Sequence, residues 1–341
     1  MKNDIVKNGR ILLCMVALLA LAIWFRHVAR PDMPPQAIPA SPGHGIWLAH
    51  GWLGDDAWFA KYGKGKEKSR YRTPEAIRNL AATLHWHGIT DLFPHLGPTT
   101  ALGDIQRVDH QQVIRFLSAM RTEGLRVMPW VGGVQGKQVF LNDPSWRHNF
   151  TQAIAQLLQK YPEVAGIHLN IEPWPSGDAQ LLALLEDIRS ILPHGKILSV
   201  AAYPPPTIWQ PSDAIHWDEH YFLEVASRVD QMAVMLYDTA VPFAWAYRHL
   251  VAAWTKEVLA WSSPARVLLG VPAYDDAGVG YHDPEVENLE NSLAAISQVI
   301  GEMGGVPAHF QGVAVYSEWE MDEKKWQILA YFMGKKSMKA Q

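Results

Sequence analysis

Short runs of apolar and β-branched residues alternate with longer amphipathic stretches from residue 45 to the end of the chain. This alternation is typical of repeated βα units that build a parallel sheet. It predicts eight strands, at residues 46–50, 91–96, 126–131, 166–172, 197–203, 231–237, 266–274 and 312–318. It also predicts eight helices, at residues 74–87, 110–123, 144–160, 179–192, 218–228, 242–261, 284–303 and 323–333.

Eight strand–helix units of this spacing predict an α/β fold of the (β/α)₈ TIM-barrel type. A doubly wound open sheet is the alternative fold. Its usual sign is Gly-x-Gly-x-x-Gly after the first strand, and the sequence has no such motif there. We therefore expect one barrel domain at residues 45–334.

The first 30 residues predict a signal anchor, a transmembrane helix that precedes the barrel. An uninterrupted apolar run at residues 11–25 is flanked on both sides by basic residues, namely Lys2, Lys7, Arg10, Arg26 and Arg30. A cleaved signal peptide is the alternative, with Ala20-Leu21-Ala22 as its small-residue site. Either reading places the barrel on the extracytoplasmic side, periplasmic or extracellular, with the membrane as a partner of the N-terminal segment.

Pro-rich residues 31–44 predict a stiff linker, and residues 335–341 a basic tail. The only cysteine, Cys14, lies in the apolar run, so the exported part cannot form a disulfide. The net charge is −4, and residues 1–32 carry five Lys or Arg against two Asp, which leaves the rest near −7. Nucleic acid is therefore not expected as a partner.

The strand at 166–172 ends in candidate chemistry. Strand side chains alternate between faces, so His168, Asn170 and Glu172 share one side and the intervening apolar residues share the other. A polar inner row and an apolar outer row suit a barrel strand. Because Pro173 ends the strand, Glu172 should stand at its carboxyl end, where such barrels keep their active sites.

Aromatic and acidic side chains recur at the other predicted strand ends. A mouth of this composition suits sugar rings, whose apolar faces stack on aromatic rings while their hydroxyls form hydrogen bonds. We therefore expect a glycan substrate. The candidate substrate-binding residues are His50, His95, Trp130, His168, Tyr203, Tyr274, Tyr316, Glu318 and Trp319. Other tryptophans are expected in the core or on helix faces, namely Trp47, Trp146, Trp254, Trp261 and Trp326.

The strand Gly166-Ile-His-Leu-Asn-Ile-Glu172 resembles the fourth-strand signature of family-18 glycoside hydrolases, the chitinase-like TIM barrels, which reads Asp-x-x-Asp-x-Asp-x-Glu. Gln231-Met-Ala-Val-Met-Leu-Tyr-Asp238 is similar to that family's Met-x-Tyr-Asp. Leu269-Gly-Val-Pro-Ala-Tyr274 is similar to its Gly-x-Pro-x-Tyr. The resemblance implies that Glu172 is the catalytic acid and that Tyr237 and Asp238 contact the substrate's acetamido group.

The sequence departs from that signature at all three aspartates, which are replaced by Ala165, His168 and Asn170. In the family, the aspartate two residues before the acid orients the acetamido group that attacks the anomeric carbon. Asn170-Ile-Glu172 also resembles the Asn-x-Glu pair of family-85 endo-N-acetylglucosaminidases, and an amide still donates and accepts hydrogen bonds. With one charge fewer, burial should set the pKa of Glu172 and raise it.

The sequence thus predicts an envelope-located glycoside hydrolase acting on a β-linked, N-acetylhexosamine-containing glycan. Its expected catalytic residues are Glu172, Asn170, Asp238 and Tyr237. Two alternatives stay open. One is a non-catalytic, membrane-tethered sugar-binding module of the chitinase-like lectin type. The other is a two-carboxylate glycosidase that uses Glu172 and Glu318.

No cofactor and no metal are expected from the sequence. Metal-binding barrels usually carry His-x-His at the end of the first strand, and here that strand supplies only His50. We expect His168 to be neutral and hydrogen-bonded to Asn170 or Glu172.

Overall fold

A computed structural model describes residues 15–21 and 42–335, apart from residues 98, 209, 277 and 279. Within these residues the strands form one parallel sheet that helices cover on its outer face. The strands are β1 (His44–Leu48), β2 (Ile89–Pro94), β3 (Arg126–Val127), β4 (Trp130–Val134), β5 (Gly166–Glu172), β6 (Ile197–Ala202), β7 (Gln231–Met235), β8 (Arg266–Pro272) and β9 (Phe310–Tyr316).

The strand order is β3-β2-β1-β9-β8-β7-β6-β5-β4, so β3 and β4 lie at the two ends of the sheet. Both are segments of the predicted third strand, which Pro129 interrupts because proline has no N–H to donate. The Met128 N–H donates to Leu92 O at 2.9 Å, and the His168 N–H donates to Pro129 O at 3.1 Å. These bonds bring the two ends of the sheet together, which confirms the predicted TIM-barrel-like α/β fold.

The helices follow the predicted positions closely. The described barrel residues contain α1 (Asp56–Lys61), α2 (Ser69–Arg72), α3 (Pro74–Trp86), α4 (His110–Thr122), α5 (Pro144–Lys160), α6 (Ala179–Ile191), α7 (Glu219–Ala226), α8 (Ala244–Trp261), α9 (Leu289–Glu302) and α10 (Glu323–Phe332). Several begin at a capping carboxylate, as where Asp143 Oδ1 accepts from Ser145 N at 2.8 Å. The helix predicted from residue 284 begins later, after the cap Asn288.

Most of the predicted N-terminal anchor, the linker at 31–41 and the tail at 336–341 lie outside the described residues. Residues 15–21 are helical and exposed. None of the helices in the described ranges combines the length and the hydropathy that a membrane crossing requires.

The row of β5 side chains that faces the helices is apolar, and Ile167, Leu169 and Ile171 are at most 1% exposed. The inner row carries His168, which is fully buried inside the barrel. His168 Nε2 accepts a hydrogen bond from Trp47 Nε1 at 3.1 Å, and its Nδ1 lies 2.8 Å from Ser199 Oγ. This is a correction: His168 does not bond to Asn170 or Glu172, and no surface of it remains to contact a substrate.

The two contacts of His168 define its tautomer. Since Nε2 accepts from the tryptophan N–H, the proton must sit on Nδ1, which donates to Ser199 Oγ. Ser199 Oγ in turn donates to Gln231 Oε1 at 2.7 Å. Burial lowers the pKa of His168 to about 3, so the ring is neutral, as expected.

The hydrogen-bonded chain ends at Asp91, which is 0% exposed near the opposite end of the barrel. Gln231 Nε2 donates to Asp91 Oδ2 at 2.6 Å, and Gln311 Nε2 donates to the same oxygen. Arg126 reaches both carboxylate oxygens, with Nε at 2.6 Å and Nη2 at 2.9 Å. The charge of Asp91 is therefore compensated, and the network joins seven strands through the barrel interior, namely β1, β2, β3, β5, β6, β7 and β9.

Replacing Asp91 with alanine should lower the free energy of unfolding by about 3 kcal/mol, because three donors would lose their buried acceptor. Asp187, whose exposed carboxylate lies 3.6 Å from Arg147 Nε, provides the control. Its alanine variant should change stability by less than about 1 kcal/mol. Urea unfolding of both variants measures the difference, and equal midpoints would contradict the structural role of Asp91.

Candidate active site

A cavity of about 500 Å³ opens at the carboxyl ends of the barrel strands. Its wall combines aromatic rings with the acidic and amide groups that the sequence singled out. The lining residues are Trp47, Trp130, Asn170, Glu172, Tyr203, Pro204, Gln210, Ile215, His216, Met235, Tyr237, Asp238, Tyr281 and Tyr316. The four predicted catalytic residues therefore lie together in one cavity.

A second cavity, of about 210 Å³, adjoins the first. Both are lined by Trp130, Asn170 and Glu172, so these residues stand where the two cavities meet. The floor of this junction needs a glycine. Gly132 has φ +130°, and a Cβ atom there would lie 2.1 Å from Asn170 O. The missing side chain lets β4 lie directly against β5 beneath the cleft.

Glu172 is the last residue of β5. Its side chain lines the cavity, which the protein surrounds. Burial raises the pKa of Glu172 above its usual value. A hydrogen bond from the Asn170 side chain opposes this rise, and the negative charge of Asp238 adds to it. The net direction favours the protonated carboxyl, the form that a general acid requires.

Asn170 is only 9% exposed, and its side-chain amide lies in the wall of the cavity. Its Oδ1 atom is buried and meets no hydrogen-bond donor among the described residues. A buried unpaired acceptor is costly, so this oxygen is set to receive a donor from a bound molecule.

Tyr237 and Asp238 follow the end of β7. The Tyr237 ring stacks on Tyr316 with centroids 5.5 Å apart, and burial raises its pKa, which keeps the hydroxyl protonated. Asp238 has φ 63°, a left-handed conformation that Asp tolerates better than most residues. Tyr274 donates its hydroxyl hydrogen to Asp238 Oδ1. Burial raises the pKa of Asp238, and the bond from Tyr274 opposes that effect.

The turn after Asp238 is held from behind by Glu287, which is 0% exposed. Its Oε1 accepts from Thr239 N at 3.0 Å and from Thr239 Oγ1 at 2.7 Å. His282 Nδ1 lies between the two acids, 3.7 Å from Glu287 and 3.9 Å from Asp238. Burial alone would lower the pKa of His282, but the two carboxylates outweigh it and raise that pKa. Glu287 thus fixes the turn that follows Asp238, and the His282 ring lies beside both acids.

The predicted substrate-binding residues divide into two groups. Trp130, Tyr203 and Tyr316 line the first cavity, and His95 lines the second. The others line neither cavity, namely His50, His168, Tyr274, Glu318 and Trp319.

Each of those five side chains contacts other groups of the protein, and apart from that of the buried His168 their role in substrate binding stays a prediction. Tyr274 bonds to Asp238, and His50 stacks on Trp58 with centroids 4.6 Å apart. Glu318 Oε2 accepts from Trp52 Nε1 at 3.1 Å, and Trp319 packs edge-on against Tyr316. Because Glu318 is outside the cavity of Glu172, the arrangement does not supply the pair of facing carboxylates of a two-carboxylate glycosidase.

Loops contribute cavity residues that were not predicted from the sequence. The loop after β6 supplies Pro204, Gln210, Ile215 and His216, and the loop after β8 supplies Tyr281. No strand periodicity marks these positions. Trp47 was expected in the core and is 1% exposed, yet it also forms part of the cavity floor.

A larger cavity, of about 1230 Å³, lies at the other end of the barrel among the starts of β3, β6, β7 and β8. Its basic side chains are mostly paired, as in the 3.0 Å contact of Arg189 Nη1 with Asp230. In barrels of this type the amino-terminal face serves stability rather than chemistry.

A TIM-barrel-like fold in which β5, the fourth strand of the predicted barrel, ends in a cleft-facing carboxylic acid is consistent with a chitinase-like glycoside hydrolase fold. The chain belongs to the glycosyl hydrolases family 18, whose sequence model matches residues 71–330. The family resemblance of the sequence is thereby confirmed, and the Asn-x-Glu likeness to family 85 stays a prediction.

Solved structures of similar fold include the spore cortex-lytic enzyme SleL of Bacillus cereus, with a TM-score of 0.59 and 12% identity over 88% of this chain and 76% of that one. The C-terminal domain of a chitinase-like protein of Desulfitobacterium hafniense gives 0.58 and 17%, over 86% and 100%. The chitinase of Chromobacterium violaceum gives 0.57 and 14%, over 86% and 100%. Comparison with curated proteins gave no significant match.

Replacing Glu287 with glutamine should lower the free energy of unfolding by about 2 kcal/mol, because hydrogen bonds to a charged group are replaced by weaker ones. Glu163 is exposed, and its glutamine variant is the matched control. Thermal and urea unfolding measure both. If the two variants were equally stable, Glu287 would not hold the turn at Asp238.

Proposed function

We propose that this protein hydrolyses a β-linked glycan that contains N-acetylhexosamine, with Glu172 as the general acid. The observation that carries the proposal is the meeting of Glu172, Asn170, Tyr237 and Asp238 in one aromatic-walled cavity of about 500 Å³. This volume is within the range of about 300–1,000 Å³ that is usual for small-molecule sites. Family membership supports the reaction class.

The chemistry begins when the protonated Glu172 donates its proton to the glycosidic oxygen as the bond to the anomeric carbon breaks. The acetamido oxygen of the same sugar attacks that carbon from the other face, so that no enzyme nucleophile is required. Water then opens the cyclic intermediate, and the Glu172 carboxylate accepts its proton. Two displacements return the product with its original β configuration.

Asn170, Tyr237 and Asp238 would hold the acetamido group in the attacking position. The unpaired Oδ1 of Asn170 can accept the acetamido N–H, and the Tyr237 hydroxyl can donate to the acetamido oxygen. Asp238, which Tyr274 fixes, can stabilise the positive charge that develops on the amide. Positioning of this kind is where enzymes gain much of their rate.

The junction of the two cavities at Glu172 supports a polymeric substrate. When the scissile bond lies at Glu172, the cavity of about 500 Å³ has space for one sugar. The adjoining cavity of about 210 Å³ has space for the neighbouring sugar. Exposed aromatic faces of Trp130 and Tyr281 are suited to stacking on the pyranose rings.

We propose that the protein works at the cell envelope, tethered by its N-terminal segment. β1 begins at His44, on the amino-terminal face of the barrel, and the cleft lies on the opposite face. A tether that enters at His44 would leave the cleft facing away from the membrane, toward an envelope glycan. SleL is named as a spore cortex-lytic enzyme, which agrees with a target of this class.

Replacing Glu172 with glutamine should lower the release of sugar from chitin oligomers, peptidoglycan or N-glycans by roughly 10²–10⁴-fold, because glutamine cannot donate the proton. The same variant should still bind the oligomer, since the cavity keeps its shape. The exposed Glu163→Gln variant is the control and should turn over normally. Product chromatography and calorimetry measure the two properties.

The outcomes of that experiment separate the two function classes. Unchanged turnover by the Glu172→Gln variant would contradict the role of Glu172. Binding of chito-oligomers by the wild type with no cleavage of any of the three glycans would instead favour a sugar-binding module without catalysis.

The pH profile tests the Asn170–Glu172 pair. Glu172 is active when protonated, so kcat/KM should fall as pH rises through its pKa, at a midpoint above the usual 4.5. In an Asn170→Asp variant, a negative charge replaces the donor that now lowers this pKa, so the falling limb should move to higher pH. A limb that stays in place or moves to lower pH would contradict the assignment.

A further inference from the structure

A second cluster of polar side chains lies at the mouth of the barrel, beyond the proposed acetamido site. His50 follows β1, His95 follows β2, and Asp55 immediately precedes α1. Each of these side chains has one nitrogen or oxygen atom that could bind a metal ion. These three atoms lie within 4.8 Å of one another. The sequence pointed to both histidines as sugar contacts, but gave no sign that Asp55 would join them.

The distances in this cluster suit a metal ion. His50 Nδ1 lies 3.1 Å from Asp55 Oδ2. Ligand atoms bound tetrahedrally at about 2.1 Å from zinc are separated by about 3.4 Å. The separation of His50 Nδ1 and Asp55 Oδ2 is close to that value, and the atom from His95, within 4.8 Å of both, would move toward them when an ion binds. Two imidazoles and one carboxylate form a donor set that divalent transition metals prefer.

Asp55 is held in place through one carboxylate oxygen, and its other oxygen lies against His50. It is 1% exposed, and its Oδ1 accepts from Trp58 N at 3.0 Å as the cap of α1. Its Oδ2 is thereby turned toward His50. The approach to Asp55 is kept open by Gly97, with φ +123°, where an added Cβ would lie 3.4 Å from Asp55 Oδ2. Support of this kind is typical of built metal sites.

Both histidine rings are fixed by aromatic neighbours. His50 stacks on Trp58, with ring planes 15° apart, and His95 meets Trp130 edge-on at 4.5 Å. His95 Nδ1 is buried, and no group in the described part of the chain lies within hydrogen-bonding distance of it. A buried imidazole nitrogen without a partner is uncommon in a folded protein, and a metal ion would satisfy it.

We propose that His50, Asp55 and His95 bind one divalent transition-metal ion of the zinc class at the edge of the cleft. His95 and Gly97 also line the smaller cavity, whose wall includes Glu172. A coordination position that faces this cavity would hold water or a substrate oxygen. The proposal departs from the absence of a metal that the sequence led us to expect, and it does not depend on the proposed hydrolysis.

The other cluster of metal-binding residue types, formed by Asp238, His282 and Glu287, also has a buried ring nitrogen without a hydrogen-bond partner, His282 Nδ1, but its carboxylate Glu287 is engaged. Both carboxylate oxygens of Glu287 accept from Thr239 N, at 3.0 and 3.2 Å, and one of them also accepts from the Thr239 hydroxyl. That carboxylate is already used by the turn, so the cluster at His50 is the better site.

Titration of the purified full-length chain with Zn²⁺, followed by calorimetry after treatment with a chelator, tests the proposal. The wild type should bind one equivalent tightly. His95→Gln should weaken that binding by roughly 100-fold or more, and Asp55→Asn, which retains a helix-capping oxygen, by roughly 10-fold or more. The exposed His148→Gln variant is the matched control and should bind as the wild type does.

Equal affinity of the wild type and the His95→Gln variant, or no binding of one equivalent by the wild type, would overturn the site. Cobalt spectroscopy of the wild type gives a measurement that needs no variant. Co²⁺ bound to this donor set should show the intense visible absorption of a four- or five-coordinate ion. The weak spectrum of the hydrated ion would also overturn the proposal.

Discussion

The interaction on which the rest of the structure depends is the hydrogen-bonded chain inside the barrel. It runs from Trp47 through His168, Ser199 and Gln231 to Asp91, and each link joins neighbouring or facing strands. A buried polar chain is stabilising only if its members are satisfied, which gives β5 one favourable orientation. Because strand side chains alternate, the inward direction of His168 fixes that of Asn170 and Glu172.

Above this chain, the cleft contains Glu172, whose pKa is raised, and side chains that buried neighbours hold in position. Burial raises the pKa of the Glu172 carboxyl, while the Asn170 amide beside it adds no charge. Asp238 is fixed by Tyr274, and the turn that follows it is fixed by Glu287. In the proposed function, few residues would contact a substrate, and a larger number of buried groups position them. This division is usual where catalysis depends on preorganisation.

The barrel and Glu172 could be predicted from the sequence because period-two alternation and a strand-ending proline are local signals. Depth could not. His168 lies four residues before Glu172, about 13 Å deeper along the strand, and alternation gives only the side on which a residue lies. Tyr281, Glu287 and Asp55 belong to loops whose positions depend on contacts distant in sequence. The third strand was predicted as one element at 126–131, although Pro129 has no N–H to donate, and the split into β3 and β4 with its hydrogen bonds became visible only in the structure.

The most direct test of the account is a crystal structure of the Glu172→Gln variant soaked with a chitin tetrasaccharide. The account predicts a scissile glycosidic oxygen within about 3 Å of the residue 172 side chain, with the acetamido group of the adjacent sugar between Asn170, Tyr237 and Asp238. An oligosaccharide bound with its acetamido groups turned away from these residues, or bound outside the cavity, would contradict it.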